Sequence, residues 1–247
     1  MASWNRGWNI YSLEQERRIK RKKILQGKGE NMYFRLTQVD IQEGKMDETI
    51  AYAESVADSF RDTPGLFQIC IAEMDNGQMT SWSLWANEDA MNAAGPQIQE
   101  ALSGLGEFVS GPPTISFGPM NAGQIYQTTR KDDPVKPFVV RLGFGSEYNE
   151  EKFDEATDWL QNTVYAGYEG TQGLIGALAA DVGDNKGVTL SNWESQEAID
   201  ASQEKFQQIM ADAMTYLKSP PTVVTGVCKI YINNVSFPAG KLSDWSK

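Results

Sequence analysis

Apolar positions along the chain alternate between two spacings, in an order that predicts strands and helices in turn. Residues 32–39 are rich in strand-forming side chains, and the apolar positions from 46 to 60 fall at helical spacing. Residues 66–73 and 78–85 predict two strands joined by a turn at Asp75, Asn76 and Gly77. A second helical stripe runs from 91 to 109, and a last strand begins at Thr114. This half of the chain therefore predicts the order β-α-β-β-α-β.

The second half of the chain predicts the same order. Its first strand covers 138–144, its first helix turns Phe153, Ala156, Leu160 and Val164 inward, and a hairpin turns at 183–187. Its last helix is expected to run without a break over 195–217. Helices on one face of an antiparallel sheet make an α+β, ferredoxin-like layer.

The two halves also match residue by residue. Sliding residues 65–118 by 108 positions onto 173–226 gives an ungapped match with 12 of 54 positions identical, among them Gly65/Gly173, Trp85/Trp193 and Gly118/Gly226. We interpret this as a tandem repeat of domain size. The predicted organisation is a basic leader (1–31), repeat 1 (32–126), a polar linker (127–136), repeat 2 (137–233) and a C-terminal tail (234–247).

The strands carry too many apolar residues for either face of the sheet to stay open, as Phe67, Ile69, Ile71, Trp82 and Leu84 show. Packing the open face of one repeat against that of the other buries these residues within one chain. The sequence therefore predicts a barrel formed by the two repeats. Whether two chains associate further into a homo-oligomer is left open.

Charge narrows the range of partners. The formal net charge of −11 repels phosphate backbones and anionic membranes, so we expect neither nucleic acid nor a membrane as partner. The leader differs, because its eight Lys or Arg and three Glu give +5 and leave −16 for the remaining 216 residues. We expect this leader to lie outside the fold, either as translated upstream sequence with Met32 as the natural start or as a basic arm.

The chain contains no histidine, which excludes Ser-His-Asp and Cys-His catalysis and most catalytic zinc sites. Its two cysteines, Cys70 and Cys228, lie in apolar strands and form no motif spacing. They are expected to be buried structural thiols in a reducing compartment, which favours a cytoplasmic location. No metal motif is present, and no cofactor is predicted.

Two local features resemble the antibiotic biosynthesis monooxygenase (ABM) domains of the dimeric α+β barrel superfamily. One is the Gly-Leu before the second strand; the other is a third strand that ends in Trp shortly before an acidic residue and Ala, as in 82–90 and 191–198. The resemblance implies a barrel of two such units. It also implies either a cofactor-independent oxygenase of polycyclic phenols or a haem-degrading enzyme. The second activity normally needs an axial histidine, so the first is favoured.

The resemblance directs attention to the end of the third strand and the middle of the first. The candidate ligand-binding residues are Trp85, Trp193, Arg35, Arg141, Ser81 and Thr189. Each Trp offers an indole N–H to a ligand or packs in the core, and each Arg binds an enolate or pairs with acids on an open face. The family's oxygenases carry an asparagine where this chain has Ser81 and Thr189. No general base is assigned.

The predicted function is binding of a small, flat, largely apolar molecule between sheet and helices, with cofactor-independent monooxygenation as its chemistry. One alternative is a non-catalytic ligand-binding or stress-related barrel. Another is a structural protein whose pocket is filled by its own side chains.

Overall fold

Residues 31–131 and 138–242 are described by a computed structural model of the chain. The predictions for the leader therefore concern residues outside these ranges, apart from Asn31. The linker and the tail are described only in part.

Repeat 1 folds in the predicted order. Its four strands are β1 (Tyr33–Asp40), β2 (Leu66–Met74), β3 (Gln78–Trp85) and β4 (Thr114–Ile125), and its helices are α1 (Met46–Ala57), α2 (Glu88–Ala93) and α3 (Gly95–Ser103). Short 3₁₀ turns over Asp58–Phe60 and Gly104–Glu107 follow α1 and α3. Asn87 starts α2 by accepting a hydrogen bond from the Ala90 backbone N–H at 2.9 Å, which is a standard helix cap.

Repeat 2 follows the same plan. Its strands are β5 (Val139–Glu147), β6 (Leu174–Gly183), β7 (Lys186–Trp193) and β8 (Thr222–Asn233), and its helices are α4 (Phe153–Trp159), α5 (Gln196–Ala201) and α6 (Gln203–Met210). The β6–β7 hairpin turns at Asp184 and Asn185, which both have positive φ, as the tightest hairpins require. A short strand, β9 (Gly240–Lys241), comes last.

The eight long strands close into one antiparallel barrel. Their order is β1-β3-β2-β8-β5-β7-β6-β4, and β4 pairs back onto β1. Each repeat's last strand makes this closure possible. The first part of β4 pairs with β1 and its second part with β6, while β8 pairs first with β5 and then with β2. The predicted fold class, two ferredoxin-like units packed into an intramolecular α+β barrel, is confirmed.

Repeat 2 is longer than repeat 1 by two residues, and local irregularities absorb them. Thr37 and Gly143 hold equivalent places, but the next equivalent pair is Val39 and Ser146, because β5 bulges between Gly143 and Ser146. The second extra residue falls in a π-helical turn, Leu160–Tyr165, after α4. A π-turn is the usual way for a helix to hold one inserted residue. These two insertions explain why the equivalent residues Arg35 and Arg141 are 106 positions apart in the sequence, whereas Trp85 and Trp193 are 108 apart.

A repeated glycine locks the helix of each repeat onto its sheet. Gly65 and Gly173, just before β2 and β6, have φ of +74° and +77°. A Cβ on either would lie within about 2.6 Å of the Cβ of Ala90 or Ala198. This close approach accounts for the Gly-Leu and the Ala that recur in the sequence.

One predicted element differs from the structure. The helix predicted over 195–217 is divided at Ser202, whose buried hydroxyl donates to the Ile199 carbonyl at 2.8 Å, and residues 213–215 form a separate 3₁₀ turn. The described part of the C-terminal tail packs against the barrel. Phe237 and Leu242 are almost fully buried in the barrel core, and β9 pairs with β4.

The interior of the barrel is filled by side chains from both repeats. Phe34 and Leu36 of β1 lie there with Trp82 and Leu84 of β3, and repeat 2 supplies residues such as Val140 and Leu142. Alternate strand residues face outward and pack under the helices in two separate layers, one for each repeat. A ligand site must therefore lie in a helix layer rather than inside the barrel.

Candidate functional site

One opening among the described residues lies under the helices of repeat 1. Its floor is formed by outward-facing residues of β1, β2 and β3, together with Ile232 of β8, and its roof by α1, α3 and the 3₁₀ turns. The empty space is about 820 Å³ when part of the open solvent at its mouth is included, against about 620 Å³ under the helices of repeat 2. We call these spaces the repeat-1 cavity and the repeat-2 cavity.

Small helix residues create the repeat-1 cavity. Ala53 and Ala57 face it from α1, whereas the equivalent positions of repeat 2 carry Leu160 and Val164. On α3 the cavity meets Ile98, and the equivalent residue on α6 is Phe206. The sheet partly offsets this difference, since repeat 1 has Ile69 and Ile71 where repeat 2 has Ala177 and Ala179. Roof residues of repeat 1 are thus smaller, and the space lies against its helices.

Strand alternation aligns the polar groups of the repeat-1 cavity. Arg35 and Thr37 face it from β1, and Ser81 and Ser83 from β3, two residues apart in each strand. In the β1–β3 pairing Arg35 is opposite Ser83 and Thr37 is opposite Ser81. The floor therefore presents a compact polar patch of one guanidinium and three hydroxyls beneath an otherwise apolar roof. Among the described residues that line the cavity, Arg35 carries the single formal charge.

The predicted residues thus fall into two groups. Arg35, Ser81 and Trp85 line the repeat-1 cavity, and Arg141, Thr189 and Trp193 line the repeat-2 cavity. Ser83 and Ser191, which are not among the predicted residues, also line these cavities. The signal is present in the sequence, because each serine is two residues before its Trp and therefore on the same strand face.

Both indole N–H groups already donate a hydrogen bond within the protein. The Nε1 of Trp85 donates to Ser83 Oγ at 2.9 Å, and the Nε1 of Trp193 donates to Ser191 Oγ at 2.8 Å. Both Trp side chains are almost completely buried. Their geometry favours the packing role that the sequence offers as an alternative to ligand binding. In each repeat it is the serine hydroxyl, rather than the indole, that remains available to a ligand.

Replacing Trp85 by Phe tests this packing role. We expect the free energy of unfolding to fall by about 1–2 kcal/mol, since the change removes a buried hydrogen bond and leaves a small void. Affinity for a cavity ligand should change less than threefold, roughly 0.6 kcal/mol at most. Chemical denaturation and a binding titration measure the two effects. A large affinity loss with unchanged stability would show that the indole contacts the ligand.

In the repeat-2 cavity, charged and aromatic side chains of the lining contact one another. The Arg141 guanidinium carbon lies 3.8 Å from the centre of the Phe206 ring, a cation–π contact. The Tyr168 ring stacks on that of Phe206, with ring centres 6.5 Å apart, and meets that of Trp193 edge-on, with ring centres 6.3 Å apart. Burial raises the pKa of the Tyr168 hydroxyl to about 12, and the charge of Arg141 opposes that rise. Burial also lowers the pKa of Arg141.

The cavities offer few of the side chains that bind metals or haem. Within residues 31–131 and 138–242, no group of three His, Cys, Asp or Glu side chains could hold a metal ion. Of the described residues around the repeat-1 cavity, Tyr52 and Met79 alone resemble haem ligands, and the Tyr52 hydroxyl donates to the Ala101 carbonyl at 2.9 Å. Around the repeat-2 cavity the described residues of these two types are Tyr165, Tyr168 and Met210. In the same described ranges, no helix is long and apolar enough to cross a membrane.

Comparison with sequences identifies no relative. No protein-family model matches the chain. No curated protein matches it either.

Comparison with solved structures identifies the architecture. A candidate monooxygenase from Lactobacillus acidophilus aligns with a TM-score of 0.68 at 16% identity, covering 84% of this chain and 99% of its own. A candidate monooxygenase from Fusobacterium nucleatum also gives 0.68, at 9% identity, with 84% and 96% covered. An anthrone oxidase-like protein gives 0.59 at 13% identity, with 84% and 94% covered. At these identities the likeness shows the fold: the chain has the fold of the dimeric α+β barrel superfamily, with both halves of the barrel supplied by one polypeptide.

Proposed function

We propose that the protein binds a small, flat, largely apolar molecule with an acidic oxygen in the repeat-1 cavity and oxidises it with O₂ without a cofactor. The observation that carries this proposal is the polar patch of Arg35, Thr37, Ser81 and Ser83 on the floor of an apolar cavity. Apolar walls with a few convergent polar groups are typical of small-molecule sites.

Arg35 supplies the electrostatics of the proposed site. It lies mid-strand beneath apolar helices, so its charge acts through a medium less polar than water. A ligand phenol or enol beside it loses its proton more readily, because a nearby positive charge favours the anion. The resulting enolate is electron-rich enough to react with O₂ directly.

The serine hydroxyls would hold the ligand oxygen. Ser83 accepts the indole hydrogen of Trp85, which leaves its own O–H to donate to an oxyanion. Ser81 lies two residues earlier on the same face. Two such donors and one cation would fix the orientation of a flat molecule and stabilise the charge that develops during its oxidation.

Non-catalytic binding is the second candidate. It is favoured by one observation: the described residues that line the repeat-1 cavity include no carboxylate, and the whole sequence has no histidine. The lining therefore offers no carboxylate or imidazole as a general base, and the ligand must be acidic enough to lose its proton without one. A ligand without such acidity would be bound and left unchanged.

Anthrone is a suitable test substrate, because an anthrone oxidase-like protein shares the fold. Anthrone loses a proton to give a flat enolate, and anthrone plus O₂ gives anthraquinone plus water. We expect the protein to accelerate O₂ uptake and quinone formation above the protein-free rate. Arg35→Met should lower that acceleration at least tenfold, roughly 1.4 kcal/mol of transition-state stabilisation.

Arg141→Met is the matched variant, since it removes the same charge from the repeat-2 cavity. A loss confined to Arg35→Met supports the repeat-1 cavity as the active site, whereas equal losses argue against it. A fluorescent aromatic anion, 1-anilinonaphthalene-8-sulfonate, separates the two candidate functions. Arg35-dependent binding of this dye without any anthrone oxidation would favour the non-catalytic protein.

A further inference from the structure

Two buried thiols lie next to each other at one of the two seams of the barrel, by which we mean the strand pairs β2–β8 and β4–β6 that join the repeats. Cys70 lies on β2 of repeat 1 and Cys228 on β8 of repeat 2, with 158 positions between them in the sequence. Their Sγ atoms are 3.4 Å apart. We propose that this pair is a site of reversible two-electron oxidation, at which an intramolecular disulfide ties the two repeats together.

The pairing of the strands brings the thiols together. In the antiparallel β2–β8 ladder Ala72 is opposite Cys228 and Cys70 is opposite Tyr231, and the register shifts between Ile71 and Ala72. Both cysteines face the barrel interior, where Trp82 and Tyr231 pack nearby. A disulfide needs an Sγ–Sγ distance of about 2.0 Å, so the two sulfurs would have to approach each other by roughly 1.4 Å more, with local movement of the two strands.

The contacts of the two thiols differ, and the difference sets the order of the chemistry. The Cys70 thiol donates its hydrogen to Cys228 Sγ, and the Cys228 thiol donates to the Ile230 carbonyl. Cys228 is slightly exposed whereas Cys70 is fully buried, so a small oxidant reaches the Cys228 sulfur first. Burial raises the pKa of the Cys70 thiol, which keeps that sulfur protonated. Cys228 is therefore the first sulfur to be oxidised.

With hydrogen peroxide as the oxidant the chemistry balances. The Cys228 thiolate attacks one peroxide oxygen, the O–O bond breaks, and the leaving hydroxide takes up a proton to give water and a sulfenic acid. Cys70 sulfur then attacks the Cys228 sulfur and forms the S–S bond. The displaced hydroxide takes the Cys70 proton and leaves as a second water. Two thiols and one peroxide thus become one disulfide and two waters.

The opposite seam of the barrel, between β4 and β6, has no cysteine pair at the equivalent positions. There β4 and β6 pair in the equivalent register, with Met120 opposite Ala180 where β8 and β2 have Cys228 opposite Ala72. The position equivalent to Cys70 is Leu178, which is also buried. Oxidation would therefore close one seam covalently and leave the other held by hydrogen bonds and packing.

The test uses the full chain, first reduced with dithiothreitol and then exposed to hydrogen peroxide. We expect the intact mass to fall by two hydrogen atoms, and digestion without reductant to yield one peptide pair that contains Cys70 and Cys228. The melting temperature should rise by roughly 10 °C, because the crosslink closes a long loop in the unfolded chain. Dithiothreitol should reverse both changes.

Cys70→Ala and Cys228→Ala should each abolish the two-hydrogen mass loss and the rise in melting temperature. If either variant fails to fold, the mass and the linked peptide of the unmodified protein decide alone. The proposal is overturned if peroxide adds oxygen atoms to the folded protein without forming the link, or if both thiols remain alkylatable after unfolding. Failure here leaves the proposed ligand site untouched, since neither cysteine lines the repeat-1 cavity.

Discussion

Gly118→Ala is expected to lower the free energy of unfolding by about 3–5 kcal/mol, although it adds only one methyl group. Gly118 lies where β4 leaves β1 and passes to β6. A Cβ at this position would overlap the Asp181 carbonyl oxygen, which is backbone and cannot rotate away. The strands of the two repeats would have to separate to make room.

Gly226→Ala is the matched comparison for this effect. It is the equivalent residue of β8, and its Cβ would lie 2.5 Å from the Glu73 carbonyl oxygen and 2.5 Å from Met74 Sδ, a milder overlap than at Gly118. Gly95→Ala is the control, because a Cβ there meets nothing within 4 Å and alanine suits a helix. Urea denaturation should rank the losses as Gly118 above Gly226 above Gly95. A Gly118→Ala protein as stable as Gly95→Ala would contradict the account of barrel closure, and if Gly118→Ala does not fold, Gly226→Ala carries the comparison.

Local patterns are sufficient to predict the elements and the faces of the strands. Hairpin turns, helical stripes and the repeated residues depend on neighbours close in sequence, and strand alternation alone places Ser81 and Trp85 on one face of β3. The barrel follows from a single physical requirement, that the second apolar face of each sheet be covered. That the six candidate residues bind a ligand remains a prediction.

Contacts between distant segments cannot be predicted in the same way. The Cys70–Cys228 pair depends on the register of β2 against β8, and that register depends on a shift that no local pattern indicates. The contact of Phe237 with Phe67, whose rings pack edge-on, likewise joins segments that are far apart in the sequence. The sequence leaves open whether each indole N–H binds a ligand or packs in the core, because side-chain rotation does not follow from spacing. Each of these features depends on a contact that the tertiary fold determines.

Replacing two small residues of α1 with larger ones should fill the repeat-1 cavity. Ala53→Leu together with Ala57→Val gives α1 the side chains that repeat 2 carries at Leu160 and Val164. The five added carbons would occupy space directly above the polar patch, so we expect the affinity for 1-anilinonaphthalene-8-sulfonate to fall by about 10- to 100-fold, or roughly 1.4–2.8 kcal/mol. Stability should change by less than about 1.5 kcal/mol, because the new side chains enter a space that is already empty.

The control and the measurement decide where the ligand binds. Val164→Ala changes the equivalent helix position of repeat 2 and should leave dye affinity within twofold, about 0.4 kcal/mol, of the original. Fluorescence titration of both proteins, with circular dichroism to verify folding, gives the comparison. If the doubly substituted protein folds and binds the dye as before, the ligand does not lie between α1 and the sheet of repeat 1. Loss of binding with an intact fold would instead support a binding site in the space that the small side chains of Ala53 and Ala57 leave open beside the polar patch.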